Sequence, residues 1–114
     1  MPVIKSKDIT YKNVQADGVT KTTKASIVGP AQGWPDHSLR VFRIEAGGHT
    51  PHHQHDWEHV NYVIAGKGTL TIGEETFNLA TGDYAYVPPN TMHQFRNNSD
   101  GEFQFICIVP NRGA

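Results

Sequence analysis

The sequence predicts an all-β fold, a small sandwich or barrel with few or no helices. Three observations carry this prediction. Short alternating or β-branched and aromatic runs dominate the chain from residue 38 onward. Turn residues break those runs every 8 to 12 residues or so, the spacing of sandwiches and small barrels. No stretch repeats its apolar residues at helical spacing.

The elements follow in order. Residues 1–25 are polar and weakly patterned, and one or two edge strands are expected there and around 22–28. LRVFRIEA (39–46) puts Arg40, Phe42 and Ile44 on one side and Leu39, Val41, Arg43 and Glu45 on the other; Gly47-Gly48 is expected to end that strand. VNYVIA (60–65) is a strand, and Gly66-Lys67-Gly68 reads as a hairpin into TLTI (69–72). Gly73-Glu74-Glu75 turns the chain into TFNL, and Thr81-Gly82-Asp83 turns it into YAYV. Pro88-Pro89-Asn90 leads into MHQFRN. Asn97 to Gly101 is rich in residues that tolerate left-handed conformations, and EFQFICIVP is the last strong strand.

Composition bounds the function. A chain of 114 residues favours one domain, here 1–114, and 37% hydrophobic with 18% charged residues describes a globular chain. The net charge is -1 with no Lys/Arg cluster, which argues against nucleic acid. No run is long enough for a membrane span or a signal peptide, and Cys107 is the single cysteine, so a cytoplasmic protein is expected.

The chemistry concentrates in HHQHDWEH, residues 52–59, with four of the seven histidines. On a strand, His53 and His55 would share a face and reach one ion. His59 follows four residues later, and His93 opens a distant strand. The bland alternative is a satisfied polar cluster. His52 is expected to face outward, and His37 and His49 to lie on exposed loops. Glu58 has the wrong parity for a ligand. Tyr62, Tyr84 and Tyr86 are expected to pack. Cys107 shares parity with Phe103 and Phe105, so it is expected near the histidines if that face points inward. Arg40 and Phe42 share a face expected at the barrel mouth, where Arg40 either holds an anion or is simply exposed.

Two linked motifs resemble those of the cupin family. Gly47, His53, His55, position 59 and Gly66 match G-x5-H-x-H-x3-4-E-x6-G, with His59 in place of the acid. Gly82, Pro88, His93 and Asn97 match G-x5-P-x-G-x2-H-x3-N, with Asn90 in place of its second glycine. The resemblance covers about residues 38–110. It implies a single cupin domain: an RmlC-like jelly-roll β-barrel, or double-stranded β-helix, with residues 1–25 as edge strands or an arm.

Within that family the chain resembles the small stand-alone members with four-histidine sites. This implies one divalent ion per chain held by His53, His55, His59 and His93: manganese foremost, with zinc, iron, nickel or copper as alternatives. Cys107, Phe105 and Arg40 are the candidate neighbours of the site. A homodimer through exchanged edge strands is implied as well. Four neutral imidazoles leave the ion's charge uncompensated, which favours anionic ligands. The expected function is a metal-dependent enzyme on a small, anionic substrate, with oxygen chemistry of a dioxygenase-like kind first. A non-redox isomerase, lyase or cyclase is the alternative, and a non-catalytic binding protein stands behind both.

Overall fold

The computed structural model describes residues 3–114. Among the described residues there are nine strands and three single-turn 3-10 helices, at Ser6–Asp8, Pro30–Gln32 and Asn111–Gly113. The strands are β1 (Lys12–Asn13), β2 (Thr20–Val28), β3 (His37–His49), β4 (His59–Ala65), β5 (Lys67–Ile72), β6 (Glu75–Ala80), β7 (Tyr84–Val87), β8 (His93–Arg96) and β9 (Phe103–Pro110). Every pairing is antiparallel, and the path runs β6-β5-β8-β3-β9-β4-β7, with β2 and then β1 added beside β3. Among the described residues no helix is long and apolar enough to cross a membrane.

The sheet curls because β3 serves both of its halves. Residues His37 to Ile44 pair with β9, while His49 pairs with Arg96 of β8. The expected break at Gly47-Gly48 does not occur; the strand bulges there and continues. Gly47 takes φ +83, and its N–H donates to Asn97 O at 2.9 Å. On the β2 side the register jumps from Thr20↔His49 to Thr22↔Ile44, so the bulge turns the strand's end toward the second half.

The expected hairpin at Gly66-Lys67-Gly68 is a crossover instead. β4 pairs with β7 and β9, whereas β5 pairs with β6 and β8. Gly66 makes the passage with φ +77, and a side chain there would collide with Glu102 O. The other turns match the sequence expectation: β5 and β6 form a hairpin in full register, and Asn90 adopts φ +58 in the Pro-Pro-Asn turn.

The core lies inside the curl. Ile44, Val63, Leu70, Leu79, Val87, Phe95, Phe103 and Phe105 form one buried cluster. Phe95 and Phe105 stack at 4.1 Å between centroids. Each such side chain contributes roughly 1.5–3 kcal/mol by leaving water, so the alternation of β9, buried at Phe103, Phe105, Cys107 and Val109, fixes its register. Two expectations about outer positions need correction. Tyr84 and Tyr86 are 75% and 56% exposed, because β7 is an edge strand and turns both outward. His37 and His49 are the half-buried ends of β3 rather than loop residues, and His37 stacks on Trp34.

Candidate metal centre

The histidine segment is not a strand. Pro51 lacks an N–H, and the chain from Pro51 to Glu58 runs outside the regular ladder. It hangs on β8 by separate contacts. Thr50 N donates to Phe95 O, and His53 and His93 exchange two backbone hydrogen bonds of 3.1 and 2.9 Å. Asn90 N donates to His55 O at 2.7 Å. The pairing sums shift by one residue between Thr50↔Phe95 and His53↔His93, so convergence comes from this bulged bridge, not from the two-residue repeat of a strand.

One ring nitrogen from each of His53, His55 and His93 lies within 4.8 Å of the others. His59, buried at the start of β4, brings its Nε2 to 3.3 Å from His93 Nε2. Its ring centroid is 4.9 Å from that of His93 and 5.7 Å from that of His55. Glu58 does not line this cavity, and His52 is exposed outside it.

The ring orientations are fixed from behind. His55 Nδ1 lies 3.0 Å from Trp57 O, His59 Nδ1 2.6 Å from Asn61 Oδ1, and His93 Nδ1 2.9 Å from Thr91 O. Asn61 Nδ2 donates to Ile106 O, which leaves its Oδ1 for His59. Each partner is an oxygen that only accepts, so each Nδ1 carries the hydrogen and each Nε2 is a bare lone pair. Trp57 also stacks on His55 at 4.2 Å with planes 6° apart.

Two bare nitrogens 3.3 Å apart repel unless a cation lies between them. Two nitrogens at ~2.0–2.1 Å from one ion and about 90–110° apart are themselves about 2.8–3.4 Å apart. The donor set therefore fits a divalent metal ion. Protons compete poorly for it. Burial chiefly, with the charges of His93, His55 and His52, lowers His53 to about 4. Burial lowers His59 to about 3, against the raising effect of its bond to Asn61. Burial lowers His93 as well.

The histidines form one side of a cavity of about 200 Å³. Phe42, Phe95, Phe105 and Trp57 give it apolar walls, and Lys24, Arg40 and Cys107 line it too. Phe105 and Cys107 thus face inward, which settles the direction of the face their parity assigns them to share. Arg40 is buried in the wall rather than simply exposed, with Nη2 donating to Cys107 Sγ at 3.2 Å. Trp57, Asn61 and Thr91 were not singled out from the sequence as holders of the rings. Each stands two residues from its histidine, the one signal that marks them.

The Cupin domain model matches residues 40–109, and the chain belongs to that family. The polyketide cyclase RemF of Streptomyces resistomycificus has the same fold: TM-score 0.90, 25% identity, 96% of this chain and 79% of that one. The 1-methylthio-D-xylulose 5-phosphate methylsulfurylase of Rhodospirillum rubrum is 31% identical over 71 residues, 62% of this chain and 46% of that protein. The H2HPP isomerase of Bacillus subtilis is 35% identical over 57 residues, 49% of this chain. The match spans under half of the first of these two and 24% of the second.

Proposed function

We propose that the chain is a metal-dependent enzyme acting on a small anionic organic molecule, with His53, His55, His59 and His93 holding one divalent ion. The observation that carries this reading is the set of fixed tautomers. Three Nδ1–H groups are tied to oxygens, and His59 and His93 point bare Nε2 atoms at one another across 3.3 Å. Manganese is the first candidate by the resemblance of the motifs alone, and zinc, iron, nickel or copper are the others, which imidazole suits by softness. When bound, the ion would supply Lewis-acid polarisation of a substrate oxygen.

The chain's own residues do the rest. Imidazole ligands carry no negative charge and offset none of the ion's, so an anion is favoured beside them. The phenylalanine walls exclude water and strengthen that attraction. Among the described residues no Asp or Glu lines the cavity to oppose it. Non-redox chemistry of the isomerase, lyase or cyclase kind is the reading we prefer, because two of the related proteins carry the names cyclase and isomerase. Oxygen-dependent oxidation is the second reading; the scarcity of acid–base groups on the cavity wall favours it.

Anaerobic turnover of small organic anions by zinc-loaded protein tests the choice. Turnover without oxygen supports the first reading. Substrate-linked oxygen uptake that occurs only with manganese or iron would replace it with the second. The free thiol Cys107 suits a reducing compartment such as the cytoplasm. We also infer that the chain pairs with a second copy, on the apolar outer face of β4 and β7.

A further inference from the structure

The cavity wall away from the histidines carries two cations that the fold does not neutralise. Arg40 is 9% exposed, and its Nε is buried with no hydrogen-bond partner. Its Nη2 donates to the Cys107 thiol, which burial keeps protonated, and its guanidinium lies over the Phe42 ring at 5.1 Å, a contact that leaves the charge unneutralised. Lys24 is half-buried on the neighbouring strand, opposite Phe42 in the register and diagonal to Arg40. Among the described residues the ion pairs are Arg43–Glu102 and Arg112–Asp56, so neither Arg40 nor Lys24 has an acidic partner. Burial, then repulsion from Arg40, holds Lys24 below the ordinary lysine range.

An unpaired buried charge is normally replaced by an apolar residue or given a counter-ion. Two cations side by side, one buried and one half-buried, in a cavity whose other polar wall is imidazole, call for an anion from outside. We propose that Arg40 and Lys24 form a carboxylate subsite, and that the substrate is a small organic acid with its carboxylate on this pair and a second oxygen function facing the histidines. The second half rests on the metal-dependent reading above; the subsite itself does not.

The details select a carboxylate. Cys107 takes one N–H of the guanidinium at Nη2, and a planar two-oxygen group suits the N–H donors that remain. Cys107 is thus a positioning residue for Arg40. The cavity, about 200 Å³, is smaller than the ~300–1,000 Å³ of drug-sized sites. Its aromatic walls suit a compact apolar body between the two polar ends.

The test measures binding of phenylacetate, and of inorganic phosphate as a second probe, by calorimetry. Wild type, Arg40→Met and Lys24→Met are each titrated after chelator treatment and again after zinc loading. Methionine keeps the stem's packing and removes the charge. Phenylacetate is expected to bind wild type in both metal states, at least tenfold more weakly to Arg40→Met and several-fold more weakly to Lys24→Met, with zinc stoichiometry unchanged. It should raise the melting temperature of wild type and not of Arg40→Met. Without ligand, Arg40→Met should melt no lower than wild type, whereas a purely structural arginine would lower it.

Equal phenylacetate affinity in wild type and both variants overturns the subsite. So does a wild type that binds no phenylacetate, or that binds phosphate in its place. Should Arg40→Met fail to fold, Lys24→Met decides by the same comparison. Phenylacetate results as expected in a protein that takes no zinc would support the subsite and overturn the metal reading alone.

Discussion

His59 and His93 hold their bare Nε2 atoms 3.3 Å apart only because Asn61 and Thr91 accept their Nδ1 hydrogens. Removing a ligand and removing its holder therefore have different expected effects. His53→Ala, His55→Ala and His93→Ala should each strip most of the metal from protein purified without chelators. Wild-type loading in all three would place the site elsewhere. Asn61→Ala frees the His59 ring and leaves Ile106 O without its side-chain donor. Metal affinity should fall about 10–100-fold, read by competition with a chelating dye; no change would remove His59 from the ligand set. His59→Glu should retain the ion and bind azide more weakly, because the added carboxylate offsets positive charge. The four histidines were legible in the sequence because two spaced motifs mark them. Trp57, Asn61 and Thr91 were not, because two of them act through a backbone carbonyl, for which any residue type serves.

At the scale of elements, local turn chemistry read well and pairing did not. Gly73-Glu74, Thr81-Gly82-Asp83 and Pro88-Pro89-Asn90 each reverse the chain where expected. Gly66-Lys67-Gly68 carries the same signal, yet it delivers β5 to β8 and β6, not to β4. A turn residue reports that the backbone bends; which strand it then meets is set by burial of distant side chains such as Phe95 and Phe103. The same limit applies to His53 and His55, whose convergence depends on a bridge to His93 across the fold. Gly66 gives the element-scale prediction. Gly66→Ala must hold an alanine at φ +77 against Glu102 O. Left-handed strain and overpacking together should cost about 3 kcal/mol, measured as a drop in the urea midpoint at unchanged slope. Gly73→Ala, with open space around its Cβ but φ +61, should cost only about 1 kcal/mol. Equal losses would mean that the crossover is not tightly packed.

At the scale of the whole molecule, the metal-free fold should be acid-sensitive. Folding lowers His59 from 6.5 to about 3, so between those values the unfolded chain binds a proton that the folded chain refuses. Stability is thus complete above about pH 6.5 and falls toward pH 3, by about 1 kcal/mol per pH unit for this group. Chelator-treated protein should lose denaturant resistance from pH 7.5 to 5, and His59→Phe should lose less. Equal losses would count against the burial of His59 as a neutral ring. The same molecule carries an apolar stripe on its outside. Across four strands the register aligns Leu39, Ile108, Val60 and Tyr86 in one row and Val41, Ile106, Tyr62 and Tyr84 in the next, with Val41 covered at the β3 end. The stripe ends in exposed residues at the β7 edge, with Val60 44%, Tyr84 75% and Tyr86 56% open to solvent. Contiguous aromatic surface of this kind is usually covered by a partner, and a second copy would meet it with the same two rows, since a two-fold interface is self-complementary. Tyr84→Lys with Tyr86→Lys puts two positive charges on each side of that contact. Sedimentation equilibrium should show wild type as a dimer and the double variant as a monomer that still loads metal, because neither tyrosine lines the histidine cavity. A wild type that sediments as a monomer would leave the stripe without the partner assigned to it.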